Sequence, residues 1–527
     1  MWPRALTDGS NVYMFYGSEA NGTSRGTGNI FMLKLDWTMS NDHFCYIQNA
    51  IDQANSGDVV NVAQGTYEEQ VEISKDLTLE GSGIDVTTIL SPDVLTKYFT
   101  TSTHNYPIIY IHDAENVHIK NLTVDGAGKG NANYRFCGLA FWKAGGSVDS
   151  CKVKDVRDTP FSGAQHGIAI YAYDDTDSPH TIQVVADTVI GYQKGGIVLN
   201  GHGVQVNVVG NYAEGYGPTS VTAQNGIQLG WGASGTIENN VTKNHSYTGG
   251  NWTATGILIY GGDTDIDATI TGNTVNENQT GIAVVNASGG IENNSISVTQ
   301  GGTGVSNYWG MYVNSYAHSL GLGERVHLSP FAEKCEERSA LSPTVYNFSI
   351  KGNTFTGDDG TGSVGVGLYA ESGHTVNYTV RNNSVSHFDY GFDCWTDATS
   401  TINVTARYNC VQNNVSYGAY SGGPSVNFQY NFWGDPSGPS GIGPGSGDAV
   451  SDSVLYDPWN GACSLNLTAT GLLPYFPDMS TCWTDQVGTT SLIPNSFYFK
   501  GVKVTVKFDN TKLDIPDATD VSDLKGN

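Results

Sequence analysis

The 527-residue chain is short of positive charge, with 25 Lys and Arg against 51 Asp and Glu and a net charge of −26 at pH 7. Gripping a nucleic-acid backbone takes clustered cations that displace counterions from phosphates, so that class of partner is excluded. Carbohydrate stays open, and the carboxylates offer ligands for Ca²⁺ or groups for acid–base work. Proline is sparse at 17 residues, whereas a disordered chain of this size would be richer in Pro and charge and poorer in aromatics. No apolar run is long enough to span a bilayer. No sustained Ala/Leu/Glu/Lys pattern marks long helices. The opening Met1-Trp2-Pro3-Arg4 is not a secretory leader. None of the eight cysteines has the C-x-x-C spacing of a zinc site.

What is present suits an extracellular or cell-surface protein. Three cysteine pairs lie close in sequence, Cys137 with Cys151, Cys394 with Cys410 and Cys463 with Cys482, at separations that could staple a loop to its own coil. Cys45 and Cys335 have no obvious mates. Fourteen N-x-S/T sequons, among them Asn293, Asn347, Asn377, Asn382 and Asn403, agree with export. Export composition without an export signal suggests a mature form or a fragment of a longer protein.

A repeat organises the chain. Gly followed by a short apolar run recurs as Gly167-Ile168-Ala169-Ile170, Gly196-Ile197-Val198-Leu199, Gly226-Ile227-Gln228-Leu229, Gly256-Ile257-Leu258-Ile259 and Gly281-Ile282-Ala283-Val284, in steps of 29, 30, 30 and 25 residues. Between these runs an Asn closes a second short strand, at Asn211, Asn240, Asn273, Asn294, Asn353 and Asn383. Asn tolerates left-handed backbone angles and bonds its own backbone, so one per coil reads as a turn residue and a stacked ladder. Each coil supplies two or three strands that cannot bury their inward face alone. Stacking coils in parallel closes a Val/Ile/Leu core and confines open edges to the two ends, which need caps. The expected fold is therefore all-β, a right-handed parallel β-helix solenoid.

The ends fit a known pattern. Residues 47–54, Ile-Gln-Asn-Ala-Ile-Asp-Gln-Ala, form a short amphipathic helix ahead of the strand at Val59 to Val62, then Gly65-Thr66-Tyr67-Glu68. This segment resembles the opening of pectin-methylesterase-like proteins of the pectate-lyase-like superfamily, where the helix caps the core. Asn431-Phe432-Trp433-Gly434-Asp435-Pro436 and Tyr456-Asp457-Pro458-Trp459 resemble the closing segment of microbial surface β-helix proteins. The resemblance implies the fold over roughly 42–462 and leaves function open, since the superfamily holds lyases, hydrolases, esterases, epimerases and adhesins. Residues 1–41 read as a β extension or domain remnant, 463–527 as an appended β segment or truncated domain, and 318–343, around Cys335, as an insertion loop.

Polysaccharide β-helix enzymes hold their substrate along one sheet or in a cleft beside it, so polar residues that break the apolar columns are the candidates. Gln165-His166, Gln193-Lys194 and Gln224-Asn225 precede the repeat Gly, with Arg157 just upstream. Acid clusters follow it, Asp174-Asp175-Asp177 and Asp263-Asp265-Asp267. A lyase needs a base and a cation for the uronate carboxylate, which suggests Arg157, His166, Lys194 and Ca²⁺ on Asp174, Asp177, Asp263 and Asp265. A hydrolase needs two carboxylates, for which Asp174 and Asp175 are candidates. Gln165, Gln193, Gln224 and Asn225 would then bind substrate. Gly201-His202-Gly203 is similar to a polygalacturonase run, but the later basic motif of that family is missing. Tyr390-Gly391-Phe392-Asp393 resembles a mannuronan-epimerase run until Cys394 departs from it. The sequence thus supports a carbohydrate-binding protein, a lyase or hydrolase on an extended polysaccharide with its groove centred on 157–228. The alternative is a non-catalytic adhesin or self-assembling sheath protein. A convergence of Arg157, His166, Asp174 and Lys194 would mark the enzyme.

Overall fold

Apolar residues at every second position of short segments demand strands with one face inward, and the computed structural model stacks them as the repeat requires. It describes residues 4–7, 11–17, 30–36, 44–249, 252–261, 266–299, 308–315 and 345–463. The insertion loop 318–343, Asp263, Asp265, Cys335 and everything after Cys463 lie outside the described residues. The first 53 residues form a unit of their own. Within it, Arg4–Thr7, Asn11–Gly17 and Ile30–Asp36 make an antiparallel sheet, and the helix Ile47–Gln53 buries Ile47 and Ile51 at the place in the chain where a cap is expected.

The second unit is a right-handed parallel β-helix of three long sheets. The first sheet holds 15 strands, the second 14 and the third 12, and nearly every neighbouring pair within them is parallel. One coil reads Ile168–Tyr173 in the first sheet, His180–Val185 in the second and Thr188–Ile190 in the third, and the next coil starts at Gly195–Asn200. Successive coils stay in register, so equivalent residues form straight columns. Ile170, Ile197, Ile227, Ile257 and Ile282 are one such inward column. Each fully buried aliphatic side chain contributes about 1.5–3 kcal/mol.

The predicted ladder is present. From Asn211 through Asn240, Asn273, Asn294, Asn353, Asn383 and Asn409 to Asn431, each Asn donates its backbone N–H and its Nδ2–H to Oδ1 of the next, at 2.8–3.0 Å. The other Nδ2 hydrogen of each rung goes back to a carbonyl of the preceding coil, as from Asn240 to Val208 at 2.9 Å. The left-handed turn role falls instead on the residue just before the rung: Gly210, Asn239, Gly272, Asn293, Gly352, Asn382 and Tyr408 have φ between 55° and 69°. One corner thus divides between two residues the work that the sequence reading gave to one.

The three sheets differ in what covers them. Strands of the second alternate buried and exposed residues, as in Val204–Val209, so that sheet's outer face is open. Strands of the first sheet are buried on both faces, as in Ile168–Tyr173 and Thr255–Tyr260. Their outward side chains form an apolar layer that includes Tyr110, Tyr171, Val198, Leu258, Tyr312 and Tyr369. Phe99 stacks on it, 5.1–5.9 Å from the rings of Tyr110, Trp142 and Tyr171.

The cysteine pairing expected from sequence is corrected here. Cys410 bonds Cys463, 53 residues away, with Cα atoms 5.0 Å apart. Cys137 stands in the first sheet while Cys151 opens the third-sheet side of its coil, and Cys394 points into the core; all three are buried, reduced thiols. Cys45 is an exposed thiol. Proximity in sequence misleads in a solenoid, because residues half a coil apart face different sheets.

Candidate functional site

The turns from the third sheet to the first are uneven. Residues 155–167 and 215–224 make long loops there, while the turn between them, 191–194, is short. The two long loops close over the short one. Gln193 donates from Nε2 to the Ala164 carbonyl at 2.9 Å and accepts from the Asp158 N–H at 2.9 Å. Lys194 donates from Nζ to the Ala223 carbonyl at 2.6 Å. Gln224 donates to the Tyr192 carbonyl at 2.8 Å and accepts from the Tyr216 N–H at 2.6 Å. Gln165, which is exposed, reaches Thr222 at 3.4 Å. Above this seam the rings of Phe161 and Tyr216 stack at 4.6 Å, one from each loop.

Gln193, Lys194, Gln224 and Asn225 are each no more than 1% exposed. Gln193, Lys194 and Gln224 tie the loops to the solenoid. Asn225 belongs to a side-chain chain on the outer face of the first sheet, accepting from Thr255 at 2.7 Å and donating to Gln228 at 3.2 Å, which in turn donates to Asn200 at 3.0 Å. Burial pushes the Lys194 ammonium down to about 7. An amine so enclosed cannot reach a substrate bound outside.

His166 and Asp158 make a buried polar pair in the first of these loops. His166 is 3% exposed, its Nε2 lies 3.6 Å from Asp158 Oδ1, and its Nδ1 has no hydrogen-bond partner among the described residues. Asp158 accepts from the Ser162 hydroxyl and, at 3.4 Å, from Gln193 Nε2. Burial lowers the His166 pKa, opposed by the Asp158 carboxylate and assisted by the Arg135 guanidinium. The ring is thus neutral at pH 7. Tyr134 meets His166 edge-on at 5.3 Å and is 61% exposed; Tyr216 is 58% exposed. Asp158 stands beside Arg157 just upstream of His166 in the sequence, whereas Ser162, Arg135 and the three aromatics carry no such signal. The unusual length of the 155–167 and 215–224 turns beside a short one was the available signal.

The other candidates do not converge on this pair. Arg157 points away, bonding the Asp158 carbonyl at 3.0 Å and facing Asp155 at 3.4 Å. Asp174 and Asp175 lie at the far end of Ile168–Tyr173, about 20 Å along a six-residue strand. Asp174 is buried, accepting from His180 Nδ1 at 2.5 Å and from the Thr176 N–H at 2.8 Å. Asp175 pairs with Lys143 at 2.7 Å, and the exposed Asp177 faces His202 at 3.6 Å. The expected convergence of Arg157, His166, Asp174 and Lys194 therefore does not occur, because one strand separates the two ends. Among the described residues no three His, Cys, Asp or Glu side chains stand close enough to share a metal ion.

Two short motifs receive structural explanations. In Gly201-His202-Gly203, a Cβ on Gly203 would sit 2.5 Å from the Asp174 carboxylate, and Gly201 has φ 107° with the Asp174 carbonyl 2.0 Å from any Cβ. The glycines make room for Asp174. In Tyr390-Gly391-Phe392-Asp393, Asp393 is buried and accepts from the Tyr369 hydroxyl at 2.7 Å.

No family model matches the chain, and no curated protein matches it. Among solved structures it is similar to the A-module of the Azotobacter vinelandii mannuronan C-5 epimerase AlgE4, at 14% identity over 72% of this chain and 88% of that one, with a TM-score of 0.38. An N-terminal fragment of bacteriophage phi29 gene product 12 gives 14% identity over 72% and 66%, with a TM-score of 0.39. The family 28 exopolygalacturonase of Yersinia enterocolitica gives 12% over 74% and 80%, with a TM-score of 0.27. The likeness reaches no further than the fold.

Proposed function

We propose that this chain is an extracellular carbohydrate-binding β-helix protein that holds an extended polysaccharide in the groove between loops 155–167 and 215–224. The observation that carries the reading is the buried Asp158–His166 pair with the exposed Tyr134 ring edge-on to His166 and the exposed Tyr216 ring stacked on Phe161 of the same loop. Exposed aromatic faces give sugar rings an apolar platform, and polar groups beside them fix their orientation. The outer face of the first sheet is buried, so a cleft beside that sheet is the open alternative.

A second reading, cleavage by β-elimination, draws on the neutral His166. With its Nε2 proton directed at Asp158, Nδ1 carries the lone pair of a base, and because that nitrogen is buried the loop over it must open before a sugar proton reaches it. Elimination would move the sugar C5 proton to that nitrogen, form the C4–C5 double bond and expel the C4 oxygen, which takes a proton from water. Hydrolysis is less well served, since Asp158 is alone among the candidate carboxylates beside His166. Ca²⁺ on Asp174 and Asp177 remains a separate proposal.

Incubation with acidic and neutral polysaccharides, with and without chelator, tests these readings by bound fraction, absorbance at 235 nm and reducing ends. Binding that Tyr216→Ala weakens about tenfold supports the groove. Absence of binding across the panel overturns it. Absorbance at 235 nm that His166→Ala abolishes supports elimination, and binding without new absorbance overturns elimination alone.

A further inference from the structure

The fold sorts the N-x-S/T sequons that it describes. Asn240, Asn278, Asn286 and Asn414 are at most 9% exposed. Asn240 uses both Nδ2 hydrogens inside the ladder, on the Val208 carbonyl at 2.9 Å and on Asn273 Oδ1 at 3.0 Å. A sugar on that nitrogen would displace a rung. Asn121, Asn244, Asn293 and Asn382 stand at corners, with φ between 54° and 61°. Nδ2 of Asn121 bonds Glu80 at 3.1 Å and that of Asn244 bonds Glu214 at 2.9 Å. Asn293 Oδ1 fills the space where a Cβ on Gly352 would lie, 2.4 Å away. These corner asparagines are parts of turns.

Three sequons stand differently, on the open outer face of the second sheet. In Val345–Lys351, Thr375–Arg381 and Thr401–Arg407, strand alternation turns Asn347, Asn377 and Asn403 outward together with Ser349, Thr379 and Thr405. Phe348, Tyr378 and Val404, between them, are buried. Register stacks the three asparagines in one column. Asn377 donates from Nδ2 to Asn347 Oδ1, and Asn403 from Nδ2 to Asn377 Oδ1, each at 2.8 Å. Each donation uses one of two amide hydrogens. Asn347 Nδ2 has no hydrogen-bond partner among the described residues, and Asn347 and Asn403 are both exposed. A sugar on either nitrogen therefore breaks no bond that the column needs, and it stands in solvent, where a bulky polar chain belongs. Asn377 is half-buried and has both ends of its amide engaged.

We propose that Asn347 and Asn403 carry N-linked glycans and that Asn377, between them, stays bare. The inference rests on the extracellular reading, because this modification accompanies export, and it is independent of the groove at Asp158. The donor is a lipid-linked oligosaccharide phosphate. Asn Nδ2 bonds the anomeric carbon of the first sugar, and the bond from that carbon to the phosphate oxygen breaks. The lipid phosphate leaves with the electron pair, and one Nδ2 proton passes to a base of the transferase. Ser349 and Thr405 complete the acceptor signal. Rungs are about 4.8 Å apart, so glycans on Asn347 and Asn403 are rooted about 9.6 Å from each other. One on Asn377 would be rooted within a single rung of both, which the folded chain accommodates least well. The two glycans cover this stretch of the second sheet and remove it from the faces on which a protein partner could dock.

The test translates the whole chain behind a secretory leader in a host that glycosylates this triplet. The folded, secreted fraction is digested and mapped by glycopeptide mass spectrometry. Glycan should be found at Asn347 and Asn403 and be absent from Asn240, Asn278 and Asn377. The variant S349A/T405A keeps all three asparagines and their amide column while removing the acceptor signal at two of them. It should lose both glycans and melt with the enzymatically deglycosylated parent. A secreted, folded chain that is bare at Asn347 and Asn403 would overturn the proposal and leave the extracellular reading standing. Occupancy at Asn377 equal to that of its neighbours, or glycan persisting at Asn347 in S349A/T405A, would overturn it too. A chain that folds but is not carried across the membrane would overturn both readings.

Discussion

Asp187 occupies a rung of the asparagine ladder, and replacing it by asparagine should stabilise the protein in a pH-dependent way. Its Oδ1 accepts from the Cys151 N–H at 2.7 Å and its own N–H donates to Asn211 Oδ1 at 2.9 Å, as an Asn rung would do. Its Oδ2 is buried without a hydrogen-bond partner among the described residues. Each rung sends a donor to the carbonyl three residues before the preceding rung: Asn240 to Val208, Asn211 to Val184 and, one coil before Asp187, the Cys151 thiol to Ile119 at 3.6 Å. By that register Oδ2 faces the Val148 carbonyl, where an ionised carboxylate has nothing to donate. Burial, opposed by the Cys151 N–H and aided by Asp149, pushes the Asp187 pKa up from 3.8 to about 8. Between these values the folded chain keeps a proton that the unfolded chain releases. Its contribution is therefore full below pH 3.8 and is lost as pH rises through 8. At pH 7 the loss is about 4 kcal/mol, at 1.36 kcal/mol per pH unit. Asp187→Asn supplies a permanent donor and abolishes this loss. Urea denaturation followed by tryptophan fluorescence should show variant and parent equal near pH 3.5 and the variant more stable by a few kcal/mol at pH 7. Parallel pH curves, or a variant less stable at pH 7, would refute the reasoning.

Asn294→Ala, within the ladder, strands the groups of Asn273 and Asn353 that bond it and should cost about 2 kcal/mol or more, read by denaturant midpoint. Cys410→Ser opens a closure across 53 residues, worth about 4 kcal/mol by loop entropy, and the loss should match that from reductant on the parent. Binding at this pair should persist further into acid than it would with an exposed histidine, because burial lowers the His166 pKa from 6.5. The same shift makes its stability contribution present above pH about 6.5 and lost as pH falls from there, so Asp158 should be able to restore part of it. Binding that titrates away like an exposed histidine, with Asp158→Asn without effect on it, would contradict the arrangement.

The solenoid was legible because its physics repeats. A Gly-Ile run near every thirtieth residue and an Asn at one corner state the coil many times over, so isolated departures do not obscure it. The disulfide was less legible, since Cys410 and Cys463 meet through coil closure that spacing in sequence does not encode. The site was half legible. His166 stood out as a polar break in an apolar column, but its partner Asp158 lies eight residues upstream in an irregular loop, and Tyr216 arrives from two coils away. Polar residues near the repeat Gly also misled. Gln193, Lys194 and Gln224 look like a substrate-facing column, yet the overlying loops make them internal struts.

In a parallel solenoid, position in a column decides what a substitution does, because each residue has the same neighbours above and below. A column of like residues serves the fold when the residues complement one another, as the asparagines do: each donates to one neighbour and accepts from the other. A buried group without a partner among the described residues, such as His166 Nδ1, cannot complement itself, so whatever favours its burial must come from elsewhere. Columns that satisfy themselves point to folding, and columns or floors left unsatisfied point to a ligand. By that criterion the Asn corner and the Gln193–Lys194 seam belong to architecture, while the Asp158–His166 pair is the place to look for a ligand.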